Sequence, residues 1–323
     1  MLANRLSLLI CLVLLPPLFA GAQDTNAPAV PEDQDDTGWS MGEQVDELQK
    51  DISSGILHVS HQFDSFFGED IIDDDQDGTL VRLQIKAEVA ESNKRSLSSR
   101  ISVRLRLPQL HERVQLIFDD FVEGNDEKDI VQEVKDSEPL TGIRYVLQSE
   151  KARFNVDLGV KVRMEPDAFV RARVSKVFPM DPWSLKLSQD VYWFVRDGPG
   201  EVTQVRFSRR LNDSYLFRAS TRGKWDESHD GITVGQAFAL YHEVSVRRAI
   251  RYTVSAAMPT SPSTVMDEYN AIVTWRQLVR GDWLYVEVEP NASFPRERDY
   301  KFTPSIIFKL EMMFGDAPEG FAQ

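Results

Sequence analysis

From Thr79 onward the chain alternates apolar and polar residues with a period of two, and the alternation continues almost to the C-terminus. In the first such stretch Leu83 and Ile85 share one face, while Arg82 and Lys86 share the other. Successive side chains of a β-strand point to opposite sides, so this pattern predicts strands with one apolar and one polar face. We therefore expect an all-β domain.

The alternation divides into fourteen stretches of strand length. They run approximately over 79–89, 98–107, 112–119, 142–150, 152–163, 167–177, 183–195, 201–211, 214–225, 231–242, 246–258, 268–278, 281–290 and 302–314. The predicted fold is a closed antiparallel transmembrane β-barrel over residues 79–314, with a barrel of about 12 strands as the alternative. An even number of strands returns the chain to its starting side, so both ends are expected in the periplasm.

A soluble β-sandwich or barrel also alternates, but its apolar face points into a protein core. Many of the stretches here are long enough for a tilted strand to cross a bilayer, which takes about 9–11 residues. Connections on the expected periplasmic side are short, whereas Asp120 to Thr141 and Pro290 to Lys301 fall on the outer side. Aromatic residues near strand ends suit girdles at the two membrane interfaces. They are Trp183, Trp225, Tyr241, Tyr269 and Trp283.

Residues 1–22 have the pattern of a secretory signal peptide: Arg5 is followed by the apolar run Leu6 to Phe19, and then by small residues. Cleavage would leave a mature chain that starts at Gln23 and contains no cysteine, because Cys11 is the only one. No later apolar stretch approaches the length of a membrane helix. We expect a protein exported to the bacterial outer membrane.

Residues 23–78 are strongly acidic, with 16 Asp and Glu residues against a single lysine between Gln23 and Thr79. Residues 23–40 are poor in apolar groups and predict a solvated linker. From Met41 to Phe67 apolar residues recur at spacings of three and four, which predicts an amphipathic helix. The net charge of −14 argues against nucleic-acid binding, because the phosphate backbone repels an acidic chain.

The last strand predicted from the sequence places five apolar residues on one face and ends on a phenylalanine. These residues are Ile306, Phe308, Leu310, Met312 and Phe314. They resemble the C-terminal signal by which outer-membrane proteins are recognised by the barrel-assembly machinery, although a tail of residues 315–323 follows. The segments Asp64-Ser65-Phe66-Phe67-Gly68 and Trp283 to Phe314 are similar to those of uncharacterised proteobacterial proteins predicted to be outer-membrane barrels. The resemblance implies a lipid-bilayer location, and neither an activity nor a cofactor.

The polar faces of the strands are rich in basic residues, which the barrel model directs into the lumen. The lumen-lining candidates are Arg82, Lys86, Arg100, Arg104, Arg106, Arg153, Lys161, Arg163, Arg171, Arg173, Arg218, Arg222 and Arg251. One hypothesis is a passive pore or transporter for small polar or anionic solutes, in which the acidic N-terminal segment acts as a plug. The other is a structural or envelope-assembly barrel, filled by side chains, whose N-terminal helix docks a periplasmic partner.

Two further patterns suggest chemistry but are incomplete. Asp73, Asp75 and Asp77 are spaced like the start of a calcium loop, but the twelfth position is Gln84 where a bidentate Glu belongs. A solvated acidic turn is therefore the preferred interpretation. No nucleophilic serine with a neighbouring histidine is readable, so the sequence predicts no enzyme.

Overall fold

The structure is a computed structural model, and it describes residues 60, 62–64, 66–67, 79–91, 94–106, 113–120, 139–149, 152–227 and 229–315. The predicted signal peptide, the linker, most of the amphipathic helix, Asp73, Asp75, Asp77 and the tail after Gly315 lie outside these residues. Among the described residues, no helix is both long and apolar enough to cross a membrane.

Fourteen strands follow one another along the described chain, and each pairs antiparallel with its neighbours in sequence. They are β1 Leu80–Ala90, β2 Lys94–Arg106, β3 Val114–Asp120, β4 Pro139–Ser149, β5 Ala152–Lys161, β6 Asp167–Met180, β7 Trp183–Phe194, β8 Gly198–Asn212, β9 Tyr215–Asp226, β10 Thr233–Ser245, β11 Arg248–Pro259, β12 Glu268–Arg280, β13 Leu284–Pro295 and β14 Thr303–Gly315. The sheet closes on itself as a barrel. The predicted closed antiparallel barrel of 14 strands is confirmed.

Pairing of the first strand with the last closes the barrel, with Leu80 of β1 opposite Gly315 of β14. These two residues lie at the same rim of the barrel, which we call the terminal end. We call the other rim the opposite end. At the terminal end, connections of two residues join β6 to β7, β8 to β9 and β10 to β11. At the opposite end, residues 260–267 and 296–302 form longer connections, in agreement with the predicted asymmetry.

Strand β13 is longer than the sequence predicted, because the expected loop from Pro290 is in fact strand as far as Pro295. Pro290 stays in register with Ile306 of β14. On its other side, the pairing with β12 is interrupted between Ile272 and Trp275. Proline lacks the backbone N–H that donates a hydrogen bond to a neighbouring strand. The bond is lost only on the β12 side, so β13 continues through its pairing with β14.

The two faces of the barrel wall are opposite in character to those of a soluble protein. Leu158, Trp193 and Val254 point outward and are 58%, 59% and 53% exposed, as are many other large apolar side chains. The interior holds charged groups, and Arg218 and Arg276 have no exposed surface at all. Water-soluble folds bury their apolar groups and expose their charges. This wall suits an apolar surrounding and a polar lumen.

Strand β10 carries small apolar residues on its interior face, so its apolar and polar residues alternate less clearly than those of the other strands. Ala237, Ala239 and Tyr241 of β10 all point inward and are fully or almost fully buried. The prediction of Tyr241 as a girdle residue is therefore wrong. The reason is that a helical segment, residues 60, 62–64 and 66–67, packs here, and we call it the interior segment. Its Phe63, Phe66 and Phe67 form an apolar cluster with this face.

Candidate functional site in the barrel interior

The basic residues predicted to line the lumen occupy the inward positions of their strands, with one exception. Six of them are buried: Arg104, Arg153, Arg171, Arg173, Arg218 and Arg222. Six others are half-buried: Arg82, Lys86, Arg100, Arg106, Lys161 and Arg251. The exception is Arg163, which follows the end of β5 and binds the carboxylates of Asp167 and Asp197 at the opposite rim, at 3.0 and 3.1 Å.

On the wall formed by β4 to β7, buried carboxylates are each held by arginines from neighbouring strands. Asp157 is 2% exposed and lies between Arg144 and Arg171. The Nε and Nη2 atoms of Arg144 donate to its two oxygens at 2.7 and 2.8 Å. Beside them, Arg173 forms a second paired contact with Asp190, at 2.5 and 2.9 Å. Such bidentate ion pairs fix the side chains as well as their charge.

On the wall formed by β12 to β14 the charges form a connected cluster. The guanidinium of Arg276 is completely buried and contacts the carboxylates of both Glu287 and Glu311. Glu311 also binds Arg82 of β1, and Lys309 binds Glu287 at 3.3 Å. The cluster therefore crosses the seam at which the first and last strands meet.

The interior segment packs against the barrel wall near the terminal end through aromatic side chains. Phe63 and Phe67 have their ring centroids 5.5 and 5.6 Å from that of Tyr241. Phe66 approaches Tyr285 edge-on at 5.8 Å. All three phenylalanines are buried. The remaining members of the cluster come from five strands: Leu80, Leu216, Ala239, Ala249 and Met313.

The same segment carries one buried carboxylate, and that carboxylate meets the basic wall. Asp64 forms an ion pair with the Nη2 atom of Arg218 at 2.5 Å, and the same nitrogen donates to the hydroxyl of Ser60 at 3.0 Å. Burial opposes ionisation of Asp64, but the charges of Arg218, Arg206 and Lys186 outweigh it and hold the pKa of Asp64 below its usual value. Asp64 is therefore present as the anion.

Lys186 and Arg206 are part of this wall, and they lie directly opposite each other on β7 and β8. Two like charges at opposed positions of a ladder repel each other, so this pair favours an anion nearby. Lys186, Lys309 and Arg144 are not among the lumen-lining residues predicted from the sequence. The signal for all three was present, since each occupies the polar face of a strand between outward apolar residues.

A separate apolar cluster occupies the interior near the opposite end. Its aromatic members are Phe169, Tyr192 and Phe194, with ring centroids 5.5 and 5.7 Å from one neighbour to the next. The ring of Tyr192 lies across Gly200 of β8, where an added Cβ would come within 2.3 Å of it. The Nζ atom of Lys161 lies 5.3 Å from the centre of the Phe194 ring.

The histidines that the structure describes are far from one another in the fold. His229 lies in the connection from β9 to β10 at the opposite end, with its Nδ1 atom 2.7 Å from the carboxylate of Asp226. His242 lies near the terminal end and stacks on Tyr215 at 4.3 Å. Among the described residues, no group of three or more His, Cys, Asp or Glu side chains is arranged to hold a metal ion.

No protein-family model matches this sequence, and no curated protein matches it. Among solved structures, the chain is similar to outer-membrane expressed OmpT of Vibrio cholerae, at 7% identity and a TM-score of 0.47, over 74% of this chain and 99% of that one. It is also similar to the CymD monoaromatic hydrocarbon channel, at 10% identity and a TM-score of 0.45, over 76% and 90%. A third is the outer membrane channel DcaP of Acinetobacter baumannii, at 9% identity and 0.41, over 73% and 96%. At these values the similarities assign neither a family nor a solute.

Proposed function

We propose that this chain is an outer-membrane barrel whose basic lumen passes small anionic solutes, and that the interior segment restricts the pore at its periplasmic end. The observation that carries the proposal is the inverted wall. Large apolar side chains such as Leu158 and Val254 cover the outside, while Arg218 and Arg276 are completely buried inside. Lipid is the surrounding that suits such an exterior, and a polar channel is what such an interior encloses.

The preference for anions follows from the charges on the inward faces of β4 to β9. Asp157 and Asp190 lie on these faces, and so does a larger number of basic residues, among them Lys186, Arg206 and Arg222. A ring or wall of one charge within a low-dielectric tube raises the local concentration of the opposite ion. Chloride and small organic anions are therefore the solutes that this interior favours.

Planar-bilayer recording tests the proposal on the full mature chain. We expect a small conductance for the unchanged protein, and a reversal potential in a KCl gradient that reports preference for chloride. The variant Arg222→Glu should shift the reversal potential towards that of potassium. Lys301→Glu is the matched control, because Lys301 is 78% exposed in the connection before β14 and outside the barrel interior.

The control variant should keep the reversal potential of the unchanged protein. Absence of any current, both in the unchanged protein and in a variant whose interior segment has been loosened, would exclude the pore. Recovery of the protein from the outer-membrane fraction, with the heat-dependent gel mobility of a closed barrel, tests the location independently. A water-soluble periplasmic monomer contradicts it.

A structural or envelope-assembly barrel is the second candidate, and the interior ion pairs favour it. Contacts such as Arg144 to Asp157, Arg173 to Asp190 and Arg276 to Glu287 tie neighbouring strands together inside the lumen. In that case the N-terminal helix predicted from the sequence would dock a periplasmic partner. The buried Phe63 and Phe66 would not take part, because their surface is already covered by the wall.

A further inference from the structure

The wall residue Arg218 is held in place by the barrel itself, independently of the interior segment. Its Nε atom donates to the hydroxyl of Ser208 at 3.3 Å, and its Nη1 atom donates to the hydroxyl of Tyr241 at 3.0 Å. Its guanidinium carbon also lies 4.9 Å from the centre of the Tyr241 ring. These contacts come from β8 and β10, on either side of β9. The Nη2 atom is the one that the interior segment contacts, through Asp64 and Ser60.

Two further positive charges of the same wall attract the Asp64 carboxylate. Lys186 and Arg206 face each other across β7 and β8, and both contribute electrostatic attraction to the Asp64 carboxylate. Arg206 is 4% exposed, so water screens its charge poorly. Like charges that are opposed in a ladder are unfavourable unless an anion lies close. The wall would therefore favour an anion at this point whichever molecule supplied it.

The present occupant does not belong to the barrel wall. Asp64 is part of the interior segment, which meets the strands through side-chain contacts and contributes no strand to the closed sheet. Its side chain is 11% exposed, while that of Arg218 is 0% exposed. The cationic side of this contact is thus built into the barrel, and the carboxylate is supplied by a separate part of the chain.

We propose that Arg218, Arg206 and Lys186 form a carboxylate-binding site in the lumen, and that Asp64 occupies it as an internal ligand which a carboxylate-bearing solute replaces. This inference rests on the proposed anion pore and gives it a ligand class and a mode of control. A solute carboxylate competes with Asp64 for the guanidinium of Arg218. When the solute is bound, the interior segment loses its buried ion pair, while its aromatic contacts with Tyr241 and Tyr285 remain. Carboxylate solutes therefore open the pore that they use.

Thiol labelling tests the competition without relying on current. The predicted mature chain has no cysteine, so Gln62→Cys places a single thiol on the half-buried interior segment of the full-length barrel. The probe is sodium propionate, which ends in a carboxylate like the Asp side chain. The controls are propionamide, its neutral isostere, and sodium chloride at the same ionic strength. We expect propionate to raise the labelling rate by about tenfold and the effect to saturate, as expected for loss of one hydrogen bond between charged groups.

Substitutions at Asp64 separate the site from a general effect of salt. Asp64→Asn in the same background should raise the labelling rate without propionate and abolish the response to it, whereas Asp64→Glu should restore the response. Heat-dependent gel mobility checks that each variant has formed the barrel. Equal rates in propionate, propionamide and chloride would overturn the proposal, and so would a rise caused by chloride alone.

The two proposals fail in different ways. Labelling that responds to propionate in a protein without current would keep the carboxylate site and remove the pore. An anion-selective current, together with labelling that ignores propionate, would keep the pore and remove the site.

Discussion

The carboxylate of Asp64 and the guanidinium of Arg218 lie 2.5 Å apart inside the barrel, and this ion pair joins the interior segment to strand β9. Neither side chain is more than 11% exposed. Removal of one partner from a buried ion pair strongly destabilises the structure that holds it, because the other partner keeps its charge without compensation. The interior segment is thus coupled to the ionisation of a single carboxyl group.

Acidification should release the interior segment. In the docked state the surrounding Arg218, Arg206 and Lys186 keep the pKa of Asp64 below its usual value, whereas the undocked carboxyl has the ordinary one. The ion pair therefore contributes its full stabilisation of the docked segment above about pH 4. This stabilisation is lost as the pH falls towards the lower pKa that Asp64 has in the docked state. Single-channel recording should show a constant open fraction at neutral pH and a rise only below about pH 4.

Asp64→Asn should be open at all these pH values and show no such rise. Asp299→Asn is the matched control, because Asp299 is 90% exposed in the connection before β14. A rise centred between about pH 6 and pH 7 would contradict the assignment, since it would point to a histidine.

Removal of aromatic surface should loosen the interior segment even when its ion pair is intact. Phe63→Ala combined with Phe66→Ala removes two rings that pack on Tyr241 and Tyr285. Burial of a phenylalanine accounts for about 3 kcal/mol, so docking should be lost while the strands remain paired. We expect a larger conductance with unchanged heat-dependent mobility. Phe302→Ala, at a position 58% exposed, should leave both unchanged.

Loss of Arg276 should destabilise the barrel wall itself. Its guanidinium separates the carboxylates of Glu287 and Glu311, and all three groups are buried. Arg276→Ala leaves two close negative charges in the interior and should lower the free energy of unfolding by about 3–5 kcal/mol. Urea unfolding in lipid, followed by tryptophan fluorescence, measures the change. Arg280→Ala, at the exposed end of β12, should have little effect, and equal stability of the two variants would contradict the proposed role of the cluster.

A charge placed on the outer face distinguishes lipid from water. Val254 lies in the middle of β11 and is 53% exposed, so Val254→Arg would be nearly neutral in a soluble protein. In a bilayer the same change should destabilise the barrel by about 2–4 kcal/mol. Val265→Arg, at an exposed position in the connection between β11 and β12, is the control. Equal stability of both variants in lipid vesicles would contradict a membrane-embedded wall.

The strands could be predicted from the sequence because the alternation of apolar and polar residues indicates both the strand conformation and the face on which each side chain lies. In β14, Phe308 and Phe314 point outward while Glu311 and Met313 are buried inside, as the alternation indicates. The same rule placed Arg171 and Arg173 in the interior. No partner has to be known for this prediction, because the period of two is a property of each strand alone.

The partners of these residues could not be predicted, because they depend on contacts between distant parts of the chain. Arg82 and Glu311 form an ion pair although 229 positions separate them, and only closure of the sheet brings them together. Likewise, the small inward residues of β10 weaken its alternation because they accommodate the interior segment. A strand examined by itself does not reveal such an insertion.

The interior segment contacts the first and the last strand at once, through Leu80 and Met313. Its binding surface therefore does not exist until the final hairpin has been added and β14 has joined β1. A chain that stalls during assembly would hold its three phenylalanines without the complete aromatic pocket around them. Burial of these rings is thus a marker of a finished barrel, and it separates completed molecules from partly assembled ones.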